Sequence, residues 1–169
     1  MGNFIAMGLA LYSFALVQSS VGTLPARIPT HFNSVGEPNG WGSPDVLWLI
    51  LLMQVFTCGI FLLVPPLSRR FPESVHFGAR RLSDFTPEQQ ERLLPLVTEM
   101  TGAMSAPLGL LFSYLIHEMI RVASSSHPNL SLAWAMALFL PATAAIVIYY
   151  LRRIYAIGNE TAATPRSAG

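Results

Sequence analysis

The sequence predicts an all-α fold, a bundle of four transmembrane helices with both termini cytoplasmic, and three observations carry that expectation. The chain of 169 residues is 52% hydrophobic and only 11% charged, whereas soluble domains carry about a quarter charged residues. Four of its apolar stretches approach the roughly 20 residues that a helix needs to cross a hydrocarbon core of about 30 Å. The arginines, finally, gather in the segment between the second and third stretches and at the C-terminal end.

The first span is expected at 4–22, with no charge before Arg27. It lacks the basic n-region of a secretory signal and is therefore expected to be retained. The second, 46–64, lies between Asp45 and Pro65-Pro66. The third, 101–122, carries His117, Glu118 and Arg121 near its end. The fourth, 130–151, closes on Tyr149-Tyr150 and Arg152-Arg153, where aromatic rings suit the interface. Pro141 is expected to kink that span, with Ala133, Ala137 and Ala145 packing closely. Together, 1–157 read as one membrane domain and 158–169 as a flexible tail.

Orientation follows from charge. Arg69, Arg70, Arg80, Arg81 and Arg92 fall between spans two and three, and Arg152, Arg153 and Arg166 follow span four. Arg27 and Arg121 alone occupy the opposite side. Positive charge marks the cytoplasmic side, so the loop 23–44 is expected outside, in a plasma membrane. Within the inner segment 65–100, Thr86-Pro87-Glu88-Gln89 has the order of a capping box with proline at the first helical position. Leu93, Leu94, Val97 and Met100 then predict a short amphipathic helix, bent at Pro95, lying on the cytoplasmic interface before span three.

Composition excludes some functions. A net charge of +1 gives no general attraction to nucleic acid, and no nucleic-acid-binding motif is present. The single cysteine, Cys58, has no intrachain partner and says nothing of redox compartment.

The outer loop is the informative segment. Pro25 and Pro29 stiffen its first half and keep the preceding residues extended. Pro38-Asn39-Gly40 predicts a turn in the second half. Between them lie His31, Asn33 and Glu37, with Arg27 and Trp41 flanking, and these five are the candidate ligand- or partner-binding residues. A rigid backbone presenting a few polar groups is how a recognition site is built.

The run Leu24-Pro25-x-x-Ile28-Pro29-x-His31-Phe32-Asn33-x-x-Gly36-x-Pro38-x-Gly40-Trp41-Gly42 resembles the N-terminal domain of unknown function of SdpI-type membrane proteins, a family that includes toxin-immunity proteins. The resemblance implies a bacterial multi-pass protein of the plasma membrane and does not by itself carry over the toxin-immunity role; a toxin-immunity or signalling-like function is the expectation for the loop read as a recognition surface. Asn39 and Pro44 depart from the residues frequent in that family, Asp and Lys.

The third span carries the second constellation. Thr101, Ser105, Gly109, Ser113, His117 and Arg121 recur every fourth residue as a small-and-polar packing stripe, which is expected to turn His117 toward the other spans. His31, His117 and Glu118 are then the residues that a divalent metal such as zinc would take. The same span equally reads as an intramembrane polar cluster of His117, Glu118 and Arg121, snorkelling to the outer headgroups. His-Glu-Met-Ile-Arg starts like the H-E-x-x-H metalloprotease pattern, but Arg121 stands where the second ligand belongs. Three functions stay open: recognition of a peptide or protein partner at the outer face, metal-dependent hydrolysis, and a structural or assembly role in a membrane complex. No other cofactor is expected, and the bilayer is the one certain partner.

Overall fold

The computed structural model describes residues 2–125 and 133–160. Its helices are α1 (Gly2–Ser20), α2 (Val46–Arg70), α3 (Pro87–Ala123) and α4 (Ala133–Asn159). All four are long and apolar enough to cross a membrane. Phe4, Leu52, Phe56, Leu63, Leu138 and Ile148 stand exposed on their outer faces, an apolar surface that water would penalise and lipid does not. The expected outer turn beyond residue 125, the first residues of span four (130–132) and the tail from residue 161 lie outside the described residues.

Two small antiparallel hairpins interrupt the all-helical plan. The strands β1 (Ile28–Phe32) and β2 (Pro38–Gly42) pair in the loop between α1 and α2. The strands β3 (His76–Phe77) and β4 (Arg80–Arg81) pair between α2 and α3, flanked by single 3₁₀ turns at Pro72–Ser74 and Leu82–Asp84.

Three boundaries differ from the sequence expectation. α2 continues through Pro65-Pro66 to Arg70, because consecutive prolines remove hydrogen bonds without forbidding helical φ. The interfacial helix and third span form one helix of 37 residues that contains both Pro95 and Pro107. At 1.5 Å per residue it is about 55 Å long, well beyond the bilayer core. α4 runs on through Gly158 and Asn159, beyond the expected start of the tail.

α3 is the central strut. α1 and α2 pack against it and against each other, while α4 has its substantial interface with α3. The four helices thus form a three-helix core with a fourth leaning on α3. Ala133, Ala137, Pro141 and Ala145 are exposed, so the close packing expected for them is not made within the chain.

The α3 stripe makes the tightest contact. Thr101, Ser105, Gly109 and Ser113 are buried, and a Cβ on Gly109 would sit 3.3 Å from Ala6 Cα of α1. At mid-span a polar network joins three helices. Ser13 and Ser113 hydroxyls lie 2.8 Å apart, and Gln54 Nε2 donates to Gly109 O at 3.2 Å and to Ser113 Oγ at 3.1 Å. Gln54 is fully buried, and its Oε1 has no partner among the described residues.

Apolar clusters close both ends. At the hairpin end Val17, Ile28, Leu47, Leu51, Ile116 and Met119 form one. At the arginine-rich end Leu82, Phe85, Leu93, Leu96, Ile154 and Ile157 form the other. There the predicted capping box is present: Thr86 N donates to Gln89 Oε1 at 3.1 Å, and Gln89 N to Thr86 Oγ1 at 3.3 Å.

Candidate functional site

The loop between α1 and α2 is a β-hairpin whose first strand is sunk into the bundle mouth. Ile28 and Pro29 are buried, and Ile28 belongs to the apolar cluster contributed by α1, α2 and α3. Burying that side chain contributes about 2–3 kcal/mol of attachment.

The turn is made by Asn33 rather than by Pro38-Asn39-Gly40, which lie in β2. Asn33 Oδ1 accepts from Val35 N at 3.1 Å and Glu37 N at 2.9 Å, and Asn33 Nδ2 donates to Glu37 Oε2 at 3.0 Å. Gly36 N donates to Asn33 O at 3.0 Å. Gly36 itself has φ +84°, the left-handed residue that a three-residue hairpin loop requires. Asn33 and Glu37 are therefore committed to the loop's own construction.

His31 is placed by an irregular register. Pro29 faces Trp41, His31 faces Gly40 and Phe32 faces Pro38, so Thr30 and Asn39 fall outside the ladder. Such bulges bend a strand and re-aim its side chains. Here Asn39 Oδ1 meets His31 Nδ1 in a short hydrogen bond. An amide oxygen only accepts, so Nδ1 is the donor in this pair. Gly40 is needed opposite, since a Cβ there would lie 2.8 Å from His31 Cβ. Arg27 Nη2 donates to Trp41 O at 3.4 Å. On this outward surface Val35 is 67% and Trp41 49% exposed.

The third-span residues separate. His117 is exposed and Glu118 buried, which reverses the expectation that the stripe turns His117 inward. Four-residue steps advance about 40° at 3.6 residues per turn, and by His117 the stripe has rotated off the packed face. Glu118 instead receives a fork from Arg121, with Nε to Oε1 at 3.0 Å and Nη2 to Oε2 at 2.8 Å. Its side chain is 10% exposed and that of Arg121 46%, so the pair reaches from the packed face to the surface, as snorkelling requires.

The metal set proposed from sequence is not assembled. Among the described residues no three His, Cys, Asp or Glu side chains gather to hold an ion, and His31, His117 and Glu118 are no exception. Sequence reasoning missed Asn39 as the partner of His31, Ile28 as the anchor, and the Gln54 network. Gln54 carried a signal, being the one amide inside the apolar run 46–64. Asn39 carried none, because its role depends on the bulge.

No curated protein and no solved structure matches the chain. Residues 5–57, which span α1, the β1–β2 hairpin and the first half of α2, match the family model of a domain of unknown function, DUF1648.

Proposed function

We propose that this multi-pass membrane protein recognises a peptide or protein partner through the outward surface of the β1–β2 hairpin, in a toxin-immunity or signalling-like role. The observation that supports this most is the division of labour within the hairpin. Ile28 and Pro29 fasten it to the helices and Asn33 and Glu37 fix its turn. Val35, Trp41, His31 and Arg27 remain at the surface. Such an element is preorganised, so little conformational freedom is lost when a partner docks. An exposed aromatic ring and an arginine beside it are favoured anchor types at interfaces. The excess of arginine at the opposite end supports, by the positive-inside rule, reading the hairpin as the extracytoplasmic side of a plasma-membrane protein.

The test is photo-crosslinking in the native membrane, with the reactive residue at position 35 or 41 and a control at Ala79 of the second hairpin. The reading expects a discrete adduct from 35 and 41, lost in the His31→Ala and Arg27→Ala backgrounds and absent from the control. Adducts of equal pattern from all three positions, or adducts untouched by both substitutions, would defeat it.

A further inference from the structure

A second feature lies at the arginine-rich end. α2 and α4 stand on either side of α3, and the gap between them is a groove of about 590 Å³, within the range of about 300–1,000 Å³ typical of small-ligand sites. Val64, Leu67, Val97, Met100, Leu151 and Ile154 line it, and the segment from Ser74 to Gly78 closes one end. Its walls belong to α2, α3 and α4, all apolar enough to span a membrane, and Val64 and Leu151 are the last residues of the expected second and fourth spans, so the groove begins where acyl chains would meet headgroups.

Its rim is cationic. Arg69 and Arg70 end α2 immediately before Phe71, which lines the groove. Arg81 of β4 pairs in register with the lining residue His76, whereas Arg152 faces a different surface of α4, beside Tyr149 and Ala156. The other arginines of this end are engaged. Arg92 pairs with Glu160 and Arg153 with Glu99, while Arg80 donates to Gly158 O and lies 3.9 Å over the Phe85 ring. Arg69, Arg70, Arg81 and Arg152 enter no ion pair among the described residues. Of the nearby acids, Asp84 accepts from Arg81 N to close its own turn. Glu73 is the exposed acid next to the closing segment, while Glu88 and Glu91 stand exposed further off, at the start of α3.

We infer that this groove binds an anionic glycerophospholipid of the surrounding bilayer, with an acyl chain along α3 between α2 and α4 and the phosphate at Arg69 and Arg70. The apolar lining selects a chain, and the arginine rim at headgroup depth selects negative charge, each basic group near an anionic surface adding attraction. Arginine also forks onto phosphate oxygens in a bidentate manner.

Native mass spectrometry tests the site on full-length protein released from nanodiscs of equal phosphatidylcholine and phosphatidylglycerol. Wild type should retain phosphatidylglycerol in preference. Arg69→Gln/Arg70→Gln alters only exposed side chains and should lower that preference roughly tenfold. Leu67→Trp, which fills the groove, should reduce retention of both lipids. Equal retention of the two lipids by wild type overturns the inference. So does retention unchanged in both variants, whether the groove is then covered by the C-terminal segment or by another copy of the chain.

Discussion

Glu118 and Arg121 form a pair whose two members sit in different surroundings, and the difference decides what each substitution does. Glu118 is nearly buried and Arg121 half exposed. Removing the arginine strips the carboxylate of its bidentate donors in a place where water reaches it poorly, which is the costly way to break an ion pair. Arg121→Met is therefore expected to destabilise the protein by about 2 kcal/mol. Glu118→Gln takes the charge out of the packed region and leaves the arginine half exposed, so it should cost less, about 1 kcal/mol. The double replacement Glu118→Met/Arg121→Met should recover part of the loss, because it leaves neither charge in the packed region. Reversible unfolding in mixed micelles measures all three. Were Arg121→Met the milder single variant, the assignment of Glu118 to the packed face would fail. The same asymmetry was hidden in the sequence. His117, Glu118 and Arg121 read as one polar cluster, and only the rotation of the helix past Ser113 separates the exposed imidazole from the buried carboxylate.

Among the elements, α3 and the β1–β2 hairpin show where the sequence sufficed and where it did not. The helices were legible because twenty apolar residues in a row have few other solutions, and the stripe Thr101, Ser105, Gly109, Ser113 named the packed face correctly. Its contact with α1 is close enough to test. Gly109→Leu places a side chain where Ala6 Cα lies 3.3 Å from the would-be Cβ. It should force α1 away from α3 and destabilise the protein by about 1–3 kcal/mol. Gly59→Leu, whose Cβ meets nothing within 4 Å, should be tolerated. Cysteine cross-linking between α1 and α3 would read the displacement. The hairpin was legible only as rigid. Both Asn33-Ser34-Val35-Gly36 and Pro38-Asn39-Gly40 offer turn chemistry, and propensity alone does not rank them. The first wins because Asn33 Oδ1 satisfies two backbone amides at once and Gly36 supplies the positive φ. That choice puts Asn39 in a strand beside His31, a pairing across eight residues of chain that no local pattern announces.

At the scale of the whole molecule the two ends are built differently, and pH should separate them. The hairpin end is closed mainly by apolar contacts around Ile28, whereas at the arginine-rich end exposed ion pairs tie α3 to the last turns of α4. Arg92 donates to both carboxylate oxygens of Glu160, including Nη2 to Oε1 at 2.8 Å. That hydrogen bonding holds the Glu160 carboxyl below its ordinary value of 4.5 and raises Arg92 above its own. A carboxylate lowered on folding contributes its stabilisation fully above the unfolded value, and the contribution is lost as pH falls through the lower folded value. Because both side chains are half exposed, salt should weaken the tether as well. Hydrogen exchange of Ile154–Asn159, corrected for intrinsic rates, should therefore accelerate between about pH 6 and about pH 3 while the amides around Ile116 stay protected. Glu160→Gln should already exchange faster at the higher pH and show a smaller further change on acidification. If that variant keeps the full acid response, Glu160 does not hold the helix end. Loosening this end also moves Ile154, which lines the groove between α2 and α4. Lipid retention and α4 protection should then decline together on acidification in the wild type and diverge in Glu160→Gln.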